Sequence, residues 1–228
     1  MTRTTWFCSL LTLALAGAAA RAGSLDALSD KDAASALRSA LNQGIDTAVA
    51  QLGVPNGFLN DPKVAIPLPH PLDKAESTLR MLGMGHEADE LKAAMNHAAE
   101  QSVAQAKPVF QHALQKMTLT DAKSILTGGD GAATAYFRRT TSAELTAKFR
   151  PIVAAQTGKI GLAQRYDEYA GKAAQLGLVP AQDASLNDYV TAKALDGLFG
   201  RIAEEEHAIR KDPAGQASAL LRKVFGAL

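Results

Sequence analysis

Glu204 and His207, within the run Glu204-Glu205-Glu206-His207, have the three-residue spacing that places both side chains on one face of a helix. Di-iron bundles hold their metals with two such Glu-x-x-His pairs and a further glutamate from each of two other helices. The sequence carries the pair once, because none of His70, His86, His97 or His112 has an acid three residues before it. Glu100 offers one further carboxylate. The plainer reading of the run is a solvated acidic face, with Arg210 pairing to Glu206 at the i, i+4 spacing. No metal and no cofactor is therefore assigned, and Glu204 and His207 stand as the candidate ligands should a metal be present.

A second candidate is the glycine-rich stretch Thr127 to Thr134, followed by a helical pattern. Exposed backbone N–H groups before a helix favour anions. No Lys-Ser/Thr follows, so this is not a nucleotide-binding loop, and the alternating acids of a calcium loop are missing. Asp130 at the expected N-cap repels phosphate and is read as the cap itself, worth about 1 kcal/mol. A third candidate is Asn96 with Glu100, one turn apart and flanking Ala98-Ala99. Polar groups beside a helix seam must be satisfied, either in a hydrogen-bond network with Arg210, Asp121 or Thr134 or as the lining of a small-ligand pocket. Nucleophilic catalysis finds no Gly-x-Ser-x-Gly and no usable cysteine. Pro67, Pro69 and Pro71 read as an ordered arm before a polyproline ligand, and Met81, Met84, Met95 and Met117 as core.

Helices must position all of these groups. From Ser29 the stripe Leu37, Leu41, Ile45, Val49 and Leu52 predicts a helix ended by Gly53. Gly57 to Pro71, with Asn60-Asp61-Pro62 and the alternate prolines, predicts an extended arm and no helix. A helix from Leu72 to Leu82 follows, then one from Glu87 to Met117 that Pro108 must kink or split. Thr118 or Thr120 caps a short helix to Leu126. A helix opens again at Ala132, and Thr141 with Glu144 has the capping-box spacing for a new one running past Pro151 and Ile160 toward Leu176. Ser185 caps a strong helix through Ile209, and Pro213 opens a last one with Leu220, Leu221, Val224 and Phe225 inward. No set of alternating strands and no internal repeat is present.

The front of the chain reads as an export signal: Arg3, an uncharged apolar run from Trp6 to Ala20, and Ala20-Arg21-Ala22 as a cleavage site before Gly23. The run is short of the roughly 20 residues a membrane span needs. Cys8 lies too early in it for a lipid attachment site. Removal of residues 1–22 leaves 206 of 228 residues and takes away the one Cys and the one Trp. The exported chain then has no thiol, so a packed core must stabilise it in an oxidising compartment. Loss of Arg3 and Arg21 lowers Lys+Arg from 24 to 22 against 23 acids, a net charge of −1. A nucleic-acid partner wants a strongly basic face, and the charges here are mixed.

Several runs resemble a bacterial family known as domain of unknown function 4197. They are Gly57-Phe58, Asn60-Asp61-Pro62-Lys63-Val64 and Ile66-Pro67-Leu68-Pro69; Met95-Asn96 and Ala98-Ala99-Glu100; Met117-Thr118, Asp121-Ala122, Ile125-Leu126, Gly128, Asp130, Ala133-Thr134 and Tyr136-Phe137; and Tyr189-Val190, Ala194 to Phe199, Glu205-Glu206, Ile209-Arg210 and Pro213. The resemblance covers nearly the whole exported chain. It implies an exported helical protein of the bacterial envelope and brings no activity with it. His97 stands where the family pattern has Arg, which argues against an essential role for it.

The resulting expectation is an all-α fold: an irregular bundle of about seven helices with an extended proline-rich arm, a signal peptide at 1–22 and one helical domain over 23–228. The expected location is periplasmic or secreted. The first functional class is a non-catalytic binding or scaffolding protein with an envelope protein or small ligand as partner. The alternatives are a small-molecule or lipid carrier, marked by a large apolar cavity, and a metal- or carboxylate-dependent enzyme, marked by convergence of Glu100, Glu204 and His207. The polar members of the matching runs, Asn96, Glu100, Asp121, Asp130, Thr134, Tyr136, Glu205 and Arg210, are the candidate ligand-binding residues.

Overall fold

Alanine and leucine at steps of three and four set the architecture, and a computed structural model of the chain shows how. It describes residues 30–83, 85–176, 180 and 183–211. The proposed signal and the helix expected after Pro213 lie outside the described residues. Among those described there are eight helices and no strand: α1 (Asp30–Leu52), α2 (His70–Met81), α3 (Gly85–Val103), α4 (Lys107–Lys116), α5 (Leu119–Thr127), α6 (Ala132–Thr157), α7 (Gly161–Gln175) and α8 (Leu186–Lys211). α3, α6 and α8 form the centre, with α1 against α8 and α4, α5 beside α1 and α6, and α7 against α3.

α1 buries Leu37, Leu41, Ile45, Ala48 and Leu52 on one side. Its small residues Ala36, Ala40 and Gly44 are buried as well. A Cβ on Gly44 would lie 3.4 Å from Glu205 Cβ, so α8 packs directly against the glycine. The long helix expected from Glu87 to Met117 is split rather than kinked. α3 ends at Val103, residues 104–106 turn, and Pro108 falls in the first turn of α4, where its missing N–H costs nothing. Phe110 of α4 then meets Phe137 and Phe199 edge-on, with ring centroids 5.3 and 6.0 Å away.

Three expectations are corrected, and the first is that Met81 is core, since it is 79% exposed. Thr141 does not start a helix: α6 runs unbroken for 26 residues, and Thr141 Oγ1 donates to Phe137 O at 2.7 Å inside it. The local capping pattern loses because Phe137, Leu145, Phe149 and Val153 are fully buried on one continuous face. The break comes later, at Gly158-Lys159-Ile160, which separates α6 from α7. Nor is 57–71 extended and helix-free throughout. Residues 53–64 coil through successive turns, irregular backbone follows over 65–69, and His70-Pro71 already belong to α2. Pro71 is tolerated there for the reason Pro108 is. Elsewhere the start of α5 follows a reciprocal capping box: Asp121 N donates to Thr118 Oγ1 at 3.1 Å, and Thr118 N donates to Asp121 Oδ2 at 3.0 Å.

Candidate functional site

Three of the candidate residues meet where α5 ends and α6 begins. Gly131, left-handed at φ 87°, turns the chain into α6, a conformation glycine adopts without strain. The first free N–H groups of α6 then face α8. Ala133 N donates to Glu206 Oε1 at 3.0 Å, and Thr134 N and Oγ1 both donate to Glu206 Oε2 at 2.9 Å. The anion that this helix N-terminus attracts is thus a carboxylate of the chain itself. Asp130 is not the cap. It lies one residue too early and is exposed, with its Oδ2 2.9 Å from His207 Nδ1.

Arg210 completes this junction one turn along α8. It donates to Glu206 Oε1 from Nε at 3.1 Å and from Nη2 at 3.0 Å. It also donates to Ile125 O at 2.8 Å and Gly128 O at 3.1 Å, carbonyls at the C-terminal end of α5. The cation therefore sits at the negative end of one helix and the carboxylate at the positive end of the next. Glu206 is only 4% exposed, so each charge depends on the other for its burial.

Asn96 and Glu100, both buried on α3, hold the segment between α1 and α2. Asn96 Oδ1 accepts from Ile66 N at 2.8 Å, and its Nδ2 donates to Ile66 O at 3.0 Å and to Lys92 O at 2.8 Å. The amide exchanges both bonds with one backbone residue, as a neighbouring strand does. Glu100 Oε1 accepts from Phe58 N at 3.1 Å and Leu59 N at 3.3 Å. The Phe58 ring, fully buried, packs onto Gly197 of α8, where a Cβ would approach it to 2.8 Å. Tyr189 OH donates to Pro67 O at 3.1 Å, and burial pushes its phenol up to about 12. The network expected between Asn96-Glu100 and Arg210, Asp121 or Thr134 does not form, because these groups serve different helix ends.

The remaining candidates are dispersed. Asp121 caps α5, and hydrogen bonds from Thr118 hold its carboxyl below the usual range. Tyr136 OH donates to Ala113 O at 2.9 Å and ties α6 to α4; burial raises its phenol. These two line an open cleft of about 400 Å³ with His112, Lys116 and Arg139. Glu205 lies half-buried toward α1, and desolvation raises its carboxyl. Glu204 accepts from Lys63 Nζ at 2.9 Å and Arg201 Nη1 at 2.6 Å, and Lys63 holds it below the usual range. Arg201 also bonds Asp61. Glu204, His207 and Glu100 thus each face a different partner, and no group of three or more His, Cys, Asp or Glu is gathered among the described residues. A second cleft of about 300 Å³ opens between residues 63–67 and Lys193, Gly200 and Arg201. Neither is an enclosed apolar chamber.

The residue that sequence reasoning passed over is Glu206. Its i, i+4 relation to Arg210 was legible, but its role depends on an α6 end 72 residues away in the chain. What fold and site define is an all-helical protein whose buried polar residues fasten its segments to one another. Residues 27–226 match the model of a family described as Protein of unknown function (DUF4197), and the chain belongs to that family. No curated protein and no solved structure shows a significant match.

Proposed function

We propose that this chain is exported by a signal over residues 1–22 and acts in the bacterial envelope as a non-catalytic binding or scaffolding protein. One observation supports the reading above others. Asn96, Glu100, Thr134, Glu206 and Arg210 direct their polar atoms at backbone ends and at each other, leaving that set committed to holding the framework. An active site instead presents positioned groups to a cleft. The near-neutral mixed charge favours a protein partner over nucleic acid. In this reading recognition falls to the surface, where the open clefts beside Tyr136 and beside Arg201 are two of the concave regions among the described residues.

Native mass spectrometry of the protein drawn gently from its own envelope tests this. The expected result is a mass without added ligand, together with a protein partner recovered by crosslinking in the intact envelope. Stoichiometric excess mass matching a metal, a lipid or a metabolite would overturn the scaffold reading and name the chemistry instead.

A further inference from the structure

The cleft beside Arg201 continues along α8. It shares Pro67, Lys193 and Asp196 with a neighbouring cleft of about 340 Å³ that reaches Leu68, His70 and Tyr189. On α8 the two are lined by Tyr189, Lys193, Gly197, Gly200 and Glu204, spaced three or four apart and so on one face. Residues 63–68 form the opposite wall. Together they make one open trough, about 22 Å long from Tyr189 to Glu204 at the helical rise, the length of about seven residues of extended peptide. Gly200 on its floor points to an occupant. Glycine weakens a helix interior relative to alanine, so a glycine within α8 needs a reason. Gly44 and Gly197 have theirs in the close approach of Glu205 and Phe58. At Gly200 an added Cβ would meet nothing within 4 Å. The residue is exposed to the trough, and among the described residues nothing fills that space. Bare backbone there suits the close approach of another molecule.

Charge differs along the trough. Glu204 is paired with Lys63 and Arg201, and Asp196 with Arg138. At the Tyr189 end Asp73 and Asp183 line the wall and form no ion pair among the described residues, while Lys193 lies over the Tyr189 ring at 5.7 Å. Two carboxylates there face one ammonium. The wall offers no free strand edge. Ile66 N and O are taken by Asn96, and Pro67 has no N–H while its O accepts from Tyr189. Recognition falls to side chains. Given the binding role proposed above, we propose that this trough takes an extended peptide segment of a protein partner, with a small residue over Gly200 and a basic side chain against Asp73 and Asp183. Tyr189 and Gly200 stand about 16 Å apart along α8, so the two peptide positions are separated by about five extended residues. A compact small molecule buries most of its surface in a closed pocket, and this trough is open along its length.

The probe is a displayed library of random peptides of about twelve residues, long enough to span the trough, selected on the whole chain. Enriched peptides are expected to carry Lys or Arg about five residues from Gly, Ala or Ser. Gly200→Leu is expected to weaken an enriched peptide at least tenfold while holding or raising the urea midpoint, since the position has open space and leucine suits a helix better than glycine. Asp73→Lys with Asp183→Lys is expected to turn the preference at that end from basic to acidic. No enrichment, binding unchanged by Gly200→Leu, or a basic preference that survives the double substitution would overturn the proposal. None of these touches the scaffolding role, which stands or falls on the envelope mass and the crosslinked partner. A metabolite-sized excess mass that Gly200→Leu removes would give the trough to a small molecule and overturn both.

Discussion

Glu206 stands between two helix ends of opposite sign, with Arg210 as its counter-ion. Removing one partner of a buried pair leaves the other charge uncompensated, at a cost of roughly 3–5 kcal/mol. Glu206→Ala is therefore expected to lose about 3 kcal/mol or more in urea denaturation, and Arg210→Ala to behave alike. The double variant should lose much less than the two singles together, because they share one interaction. Glu205, its neighbour, behaves oppositely. Desolvation raises its carboxyl, so the folded state holds the proton more tightly than the unfolded chain does. Its ionisation thus costs stability as pH rises from the ordinary carboxylate range through the raised value. Glu205→Gln is expected to be more stable than the parent at pH 7 and equal to it near pH 3, read from urea midpoints at both. A Glu205→Gln that destabilises at pH 7 would show that the carboxylate has a favourable partner. At this scale the sequence drew attention to the run Glu204 to His207 without telling which of its acids meets the α6 end. A helical wheel separates Glu204, Glu205 and Glu206 by direction, but only the placement of α6 tells which direction finds N–H groups.

The elements depend on the segment between α1 and α2 more than its lack of helix suggests. Asn96 satisfies both backbone groups of Ile66 in a buried place, and orphaning such groups costs about 1–3 kcal/mol each. Asn96→Ala is expected to lose at least about 2 kcal/mol in urea denaturation and to speed amide exchange at Ile66. Gly197→Ala should be costly too, since the added Cβ meets the fully buried Phe58 ring at 2.8 Å; overpacking of this kind costs about 1–3 kcal/mol. Phe58→Leu combined with Gly197→Ala should recover part of that loss, which a simple loss of glycine flexibility would not allow. Helix ends set by local chemistry were legible in part: Thr118 was one of two candidate caps for α5, and Pro108 marked a break, of which the structure makes a split. The continuity of α6 was not. Thr141 with Glu144 is a sound local start signal, yet burial against α3 and α8 decides the matter, and a threonine hydroxyl bonded back to Phe137 O removes the reason for a break.

At the scale of the molecule, stability comes from an apolar core fed by α1 and α3 to α8, and among the described side chains of α2 the half-buried Leu72 packs at its margin. No described helix is long and apolar enough to cross a membrane. The proposed export step then has a chemical signature. Cys8 is the only thiol and lies within residues 1–22, so cleavage before Gly23 leaves a chain that a thiol reagent cannot label. The protein recovered from the envelope is expected to have the mass of residues 23–228, to bind no thiol reagent when unfolded, and to show the same urea midpoint with and without reductant. A mass that includes residues 1–22, or one thiol per unfolded chain, would remove the export reading and with it the envelope as the place of action. A correct mass with a reductant-sensitive midpoint is ruled out by the composition, which makes the reductant arm a check on the sample. In the proposed oxidising location the core alone holds the fold, so the buried Glu206–Arg210 pair and the Asn96 clamp matter more: the proposed mature chain has no cysteine for a disulfide.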